Sequence, residues 1–169
     1  MRVLETERLR LRPVTVGDAP FILDLLNSPG FLQNIGDRKL RTVEDAERYI
    51  ETAPVFDGGE GLGFNLAETR TDGRPVGICG LVKRDALDAP DVGYAFAEVA
   101  WGTGYATEAA AAVLEHARGE LALPRVLAIT SPENLGSRRV LEKIGMRLDR
   151  TERLPGYDGD SCVYEAQAS

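Results

Sequence analysis

The hydrophobic period changes repeatedly along this chain, and each change predicts an element. Arg8-Leu9-Arg10-Leu11-Arg12-Pro13-Val14 alternates apolar and polar positions, the pattern of a half-buried strand. Asp18 then precedes Ala19 to Leu26, a helical run with a cap residue and Pro20 at its start. Thr42-Val43-Glu44-Asp45 opens another helix, through Tyr49 and Ile50, as a capping box. Between these helices, Ser28 to Arg38 has no regular period and mixes aromatic with polar residues. Residues 63–69 and 75–83 read as strands joined through Thr71-Asp72-Gly73-Arg74, a hairpin signal. Residues 92–97 and 125–130 are further strands. Residues 147–153 and 162–165 are terminal ones, linked by the turn-rich Pro155-Gly156-Tyr157-Asp158-Gly159-Asp160. No internal repeat or linker divides the chain, which reads as one domain over residues 1–169.

Two segments depart from plain structural patterning. The first, Trp101-Gly102-Thr103-Gly104-Tyr105-Ala106-Thr107-Glu108, joins the strand at 92–97 to a strongly periodic helix. Apolar residues recur there at Ala106, Ala109, Ala110, Val113, Leu114 and Ala117, the stripe of a helix with one buried face. A glycine-rich turn at a helix N-terminus aims free backbone N–H groups and the positive end of the helix dipole at one point. A phosphate or pyrophosphate binds well there, and small residues keep a Cβ out of its way. A P-loop requires Gly-Lys, and the chain contains no such dipeptide. A dinucleotide fold requires glycine at Thr107 and a carboxylate ending the next strand, and both are missing. A helix that merely begins at a tight turn is the plainer alternative.

The second segment runs from Ser131 to Met146, a short helix with Pro132 near its start and Gly145 just past its end. Its inward stripe is Ser137, Val140, Leu141 and Ile144, and Asn134 extends that stripe backwards. Two polar residues thus begin a face that is otherwise apolar. Capping by Asn134, with Ser137 as a small helix residue, is the structural alternative.

Both segments, in this order and about thirty residues apart, resemble the GCN5-related N-acetyltransferase (GNAT) family. Trp101, Gly104 and Ala106 match its pyrophosphate loop, with Trp101 replacing the usual Gln or Arg, as in the RimJ/RimL-like branch. Asn134, Ser137, Arg138 and the Leu141-x-Lys143-x-Gly145-Met146 ending match its cofactor-side helix. The resemblance spans essentially the whole chain and implies an α/β (α+β) fold. That fold is a mixed, mostly antiparallel sheet of about seven strands flanked by about four helices. It implies acetyl-CoA as acyl donor, bound through Trp101, Gly102, Thr103, Gly104, Tyr105, Ala106 and Thr107. The pantetheine arm would lie between two splayed strands, Tyr94-Ala95-Phe96 and the one ending at Thr130, and against Asn134 and Ser137. The acceptor groove would draw on Phe31, Asn34 and Asp37, with Asp158 and Asp160 in the later loop to attract a protonated amine.

Composition narrows the partners. A net charge of −7 argues against nucleic-acid binding and suits a cationic amine. No apolar run is long enough to span a membrane, and Met1 to Arg8 lacks a signal-peptide core, so a cytoplasmic protein is expected. Cys79 and Cys162 are read as reduced thiols. The single His116 is read as an ordinary helix residue and excludes histidine metal clusters, so no metal is expected. A monomer or homodimer is anticipated.

Acyl transfer from a thioester requires a neutral amine, a donor for the oxyanion and a hydrogen bond or proton for the departing thiolate. The resemblance assigns the donor to a backbone N–H of Tyr94-Ala95-Phe96, and Ser137 is the candidate thiolate partner. Other branches use a Glu on the second strand as base and a Tyr on the following helix as acid. The matching positions here are Ile129 and Leu141, both apolar. The base must be another group: Glu152, Asp158 or a water chain. Two functions remain open: an N-acetyltransferase acting on a primary amine, or a protein that binds acyl-CoA without turnover.

Overall fold

The computed structural model describes residues 3–57, 59 and 61–166. Eight strands and five helices occur among these residues. The strands are β1 (Leu4–Glu5), β2 (Leu9–Pro13), β3 (Gly63–Thr69), β4 (Pro75–Val82), β5 (Asp91–Phe96), β6 (Leu127–Thr130), β7 (Met146–Glu152) and β8 (Ser161–Ala166). The helices are α1 (Ala19–Leu26), α2 (Pro29–Asn34), α3 (Val43–Thr52), α4 (Tyr105–Arg118) and α5 (Leu135–Lys143). One sheet holds all eight strands in the order β1-β2-β3-β4-β5-β6-β8-β7. This is the expected mixed sheet, one strand and one helix richer than the expectation.

Each difference has a local cause. The additional helix α2 forms because Ser28 Oγ caps the N–H of Phe31 at 3.4 Å and Pro29 stands at its first position. Asp18 precedes α1 as expected, but its carboxylate does not cap it. It accepts instead from Arg12 at 2.8 and 2.9 Å and from the Thr15 N–H at 2.8 Å, tying β2 to the start of the helix. Pro132 lies in a turn ahead of α5, which begins only at Leu135. The Thr42–Asp45 capping box forms as the sequence predicts.

The sheet has two covered faces, and strand alternation sorts the core between them. On one face α4 and α5 pack with Leu9, Leu11, Cys79, Val92, Phe96, Ala128, Leu141 and Tyr164. On the other, α1 and α3 cover Leu66 and Ile78, with Ala95 alongside. Farther along that second face, Leu87, Ala89 and Leu154 cover Leu127 and Val163. Both cysteines are free and buried. His116 is buried in α4, with Nδ1 3.1 Å from a Glu120 oxygen one turn on.

Every strand pair is antiparallel except β5 with β6. That parallel pair is in register at Asp91 and Leu127 alone. β4 holds the other edge of β5 from Asp91 to Phe96, and β8 holds the other edge of β6 from Leu127 to Thr130. The two facing edges therefore part beyond their first residues. No helix of the described residues is long and apolar enough to cross a membrane.

Candidate active site

The parting strands end beside the glycine-rich turn. Gly102 and Gly104 adopt positive φ, 79° and 83°, a conformation that L side chains rarely take, and both are exposed. Gly104 caps α4, whose first intrahelical bond is Glu108 N–H to Gly104 O at 3.0 Å. The N–H groups of Tyr105, Ala106 and Thr107 precede that bond and have no carbonyl within the helix to accept them. These three donors lie beside the exposed glycines at the positive end of a 14-residue helix. An anionic diphosphate fits this arrangement.

Trp101 does something different. Its indole N–H donates to Phe96 O at 2.9 Å, and its ring lies against Gly30 of α2, where an added Cβ would come within 2.6 Å. Trp101 is a brace between the loop, β5 and the helix-rich face, and its indole has no donor left for a phosphate.

Ala97 N–H donates to Val76 O at 2.9 Å, which sets the alternation along β5. Backbone groups of Ala95 consequently face β4, and the N–H groups of Tyr94 and Phe96 point across the gap toward β6. Both residues lie beyond the one registered β5–β6 pair, so these two N–H groups line the opening, where a carbonyl-derived oxygen would need donors.

From α5, Asn134 and Ser137 face the same region. Asn134 Oδ1 accepts the Ser137 N–H at 3.1 Å, so the capping account is correct as far as that oxygen goes. Its Nδ2 has no partner among the described residues and is available as a donor. Ser137 Oγ lies 2.8 Å from the Tyr94 hydroxyl, which also reaches Ser137 O at 3.2 Å. Burial raises the Tyr94 phenol above its ordinary value, the Ser137 hydrogen bond working against it, so the phenol keeps its proton at neutral pH.

The opposite side of the gap lies between the α1–α3 cluster and the Leu87–Leu154 cluster. Phe31, a residue of α2, is buried in the first, with the Arg38 guanidinium 5.9 Å over its ring. Asn34 is exposed, and Asp37 is engaged by Arg41 at 2.7 Å. Tyr157 packs with the second cluster and accepts from Arg84 Nη1 at 3.2 Å. Arg84 in turn holds buried Asp91 through Nε, 3.0 Å from each carboxylate oxygen. Burial pushes the Asp91 carboxyl up to about 6, with Arg84 opposing that shift. Asp158 and Asp160 are exposed in the same loop. The segments expected to build the acceptor groove therefore flank the gap from either side. Of the base candidates, Glu152 is exposed and bonded to Arg150 at 3.0 Å. Ile129 is half-buried and Leu141 is buried.

Sequence reasoning missed the Tyr94 hydroxyl as a partner of Ser137, the Arg84–Asp91–Tyr157 bridge, and Arg8. Arg8 belongs to the alternating β2 region, where it reads as a solvent-facing charge. Its Nε instead binds Glu108 at 2.7 Å and its Nη1 binds Thr103 O at 2.8 Å. Partial burial works to raise the Glu108 pKa, but hydrogen bonds from Thr6 and Arg8 outweigh it and hold the carboxyl below its ordinary value.

Known proteins share this fold. A family model described as an Acetyltransferase (GNAT) domain matches residues 8–147. The probable N-acetyltransferase YjcK of Bacillus subtilis is 39% identical over 158 residues, covering 89% of this chain and 87% of its own. The crystal structure of an acetyltransferase from Agrobacterium tumefaciens superposes with a TM-score of 0.82 at 28% identity, covering 99% of this chain and 95% of that one. RimL, a ribosomal L7/L12 α-N-protein acetyltransferase solved with coenzyme A, matches with a TM-score of 0.81 at 16% identity, over 97% of each chain. The RimL likeness is one of fold.

Proposed function

The chain belongs to the GNAT acetyltransferase family, and we propose that it transfers the acetyl group of acetyl-CoA to a primary amine, on a small molecule or a peptide N-terminus. The parting of β5 from β6 beside the open N-terminus of α4 carries this reading. Trp101 in place of the usual Gln or Arg, together with the fold shared with RimL, supports membership of the RimJ/RimL-like branch. Residues 1–169 act as one catalytic domain, in the cytoplasm and without a metal, as a monomer or homodimer.

Acetyl-CoA supplies an acetyl thioester at the gap. Gly102 to Thr107 hold its diphosphate with backbone N–H groups, and Asn134 Nδ2 donates to the pantetheine arm. The N–H groups of Tyr94 and Phe96 stabilise negative charge developing on the acyl oxygen. Ser137 Oγ–H donates to the departing thiolate, whose conjugate acid, with a pKa of ~8.5, is acidic enough that a positioned hydroxyl suffices without a strong acid. The amine enters from the other face, between Phe31 with its α2 neighbours and the Tyr157 loop. Asp158 and Asp160 draw it in as a cation, and its proton passes to Asp158 or along a water chain to solvent before the neutral amine attacks the thioester carbonyl.

A coenzyme A release assay over peptides, polyamines and aminoglycosides tests the reading. Release that depends on one class of amine is the expected result. Tight binding of acetyl-CoA with no release for any amine would favour acyl-CoA binding without turnover, which apolar Ile129 and Leu141 at the usual base and acid positions would explain.

A further inference from the structure

Arg8 stands far from the glycine-rich turn in sequence yet meets it at four successive places. Nη1 donates to Thr103 O at 2.8 Å, and Nη2 lies 3.2 Å from where a Cβ on Gly104 would sit. The guanidinium covers the Tyr105 ring at 4.6 Å, and Nε binds Glu108 Oε1 at 2.7 Å. The backbone N–H of Arg8 donates to the other Glu108 oxygen at 2.8 Å, and Thr6 Oγ donates there as well.

Peptide geometry gives these contacts a consequence. In a trans peptide the C=O and the following N–H point in opposite directions. Holding the Thr103 carbonyl against Arg8 therefore turns the Gly104 N–H away from Arg8, outward to the exposed side of the turn. An unpaired Glu108 carboxylate in the first turn of α4 would repel a bound phosphate. Arg8 neutralises that charge at the spot where it would do harm.

We propose that Arg8 is a positioning residue of the diphosphate site, which aims the Gly104 N–H through the Thr103 carbonyl and cancels the charge of Glu108. It works from behind the loop and does not touch the ligand. This rests on reading Gly102 to Thr107 as the diphosphate site.

The test is an amide NMR titration of Arg8→Gln with coenzyme A and, separately, with pantetheine, which lacks the diphosphate. The expected result is at least tenfold weaker coenzyme A binding, loss of the coenzyme A-induced downfield shift of the Gly104 amide, and unchanged pantetheine binding. Wild-type affinity for coenzyme A in Arg8→Gln would overturn the proposal. So would equal weakening toward both ligands, which would mean that Arg8 only ties β2 to α4. Should Arg8→Gln not fold, Arg8→Lys is judged by the same criteria, since lysine keeps the charge but cannot fork between Glu108 and Thr103. Gly104→Val separates the two readings. If that variant also binds coenzyme A normally, the loop is not the diphosphate site. If it binds poorly while Arg8→Gln does not, only the role of Arg8 falls.

Discussion

The phenol oxygen of Tyr94 on β5 lies 2.8 Å from Oγ of Ser137 on α5, joining strand and helix through the hydroxyl assigned to the leaving thiolate. Either hydroxyl can donate across this contact, and when the phenol is the donor the Ser137 proton is left for the gap. Ser137→Ala should lower kcat by about tenfold or more with little change in the KM for acetyl-CoA, the pattern of an interaction made in the transition state. Tyr94→Phe should move kcat the same way, and the double variant should cost less than the two single losses multiplied. If Ser137 serves only the helix cap, Ser137→Ala will lower the melting temperature and leave turnover per folded molecule intact.

Gly104 is exposed and stands at φ 83°. Gly104→Val brings a branched side chain to the exposed turn and strains its backbone. Calorimetry should show acetyl-CoA binding weakened by more than tenfold, over ~1.4 kcal/mol. Unchanged affinity in a folded variant removes the loop from the cofactor site.

Asp158 and Asp160 carry exposed charge beside Tyr157, which Arg84 fastens to the edge of the gap. Asp158→Asn and Asp160→Asn should raise the KM for a cationic acceptor and leave that for acetyl-CoA alone. Were both variants to show wild-type KM for every accepted amine, the loop would be a hairpin turn and nothing more.

Asp91 gives stability a pH dependence of known sign. Burial raises its native pKa to about 6, against ~3.9 in an unfolded chain. Between those values the native state holds a proton that the unfolded state has released. Its contribution is therefore complete below pH ~4 and is lost as pH rises through the native value. Urea unfolding from pH 7 down to 4.5 should show a stabilising component in the wild type that Asp91→Asn lacks. Parallel stability curves for the two proteins would refute this origin.

The periodic elements, both motifs and the family were legible in the sequence, because alternation, capping and glycine turns are encoded by residues a few positions apart. The strands from 63 to 82, the Thr42 capping box and the inward stripes of α4 and α5 followed from such neighbours. Helix α2 escaped because six residues hold too few turns to display a period. Asn134 shows where local reading stops: its capping bond is a three-residue contact, whereas what its Nδ2 meets depends on β5 and β6. Tyr94 with Ser137, Arg8 with Glu108 and Arg84 with Tyr157 join positions 43, 100 and 73 residues apart. No period or spacing announces such pairs, since sheet register and helix packing bring them together. The gap itself lies where the β5–β6 pairing stops after one registered pair while β4 and β8 keep hold of the outer edges, a matter of strand order and register that only the folded sheet decides.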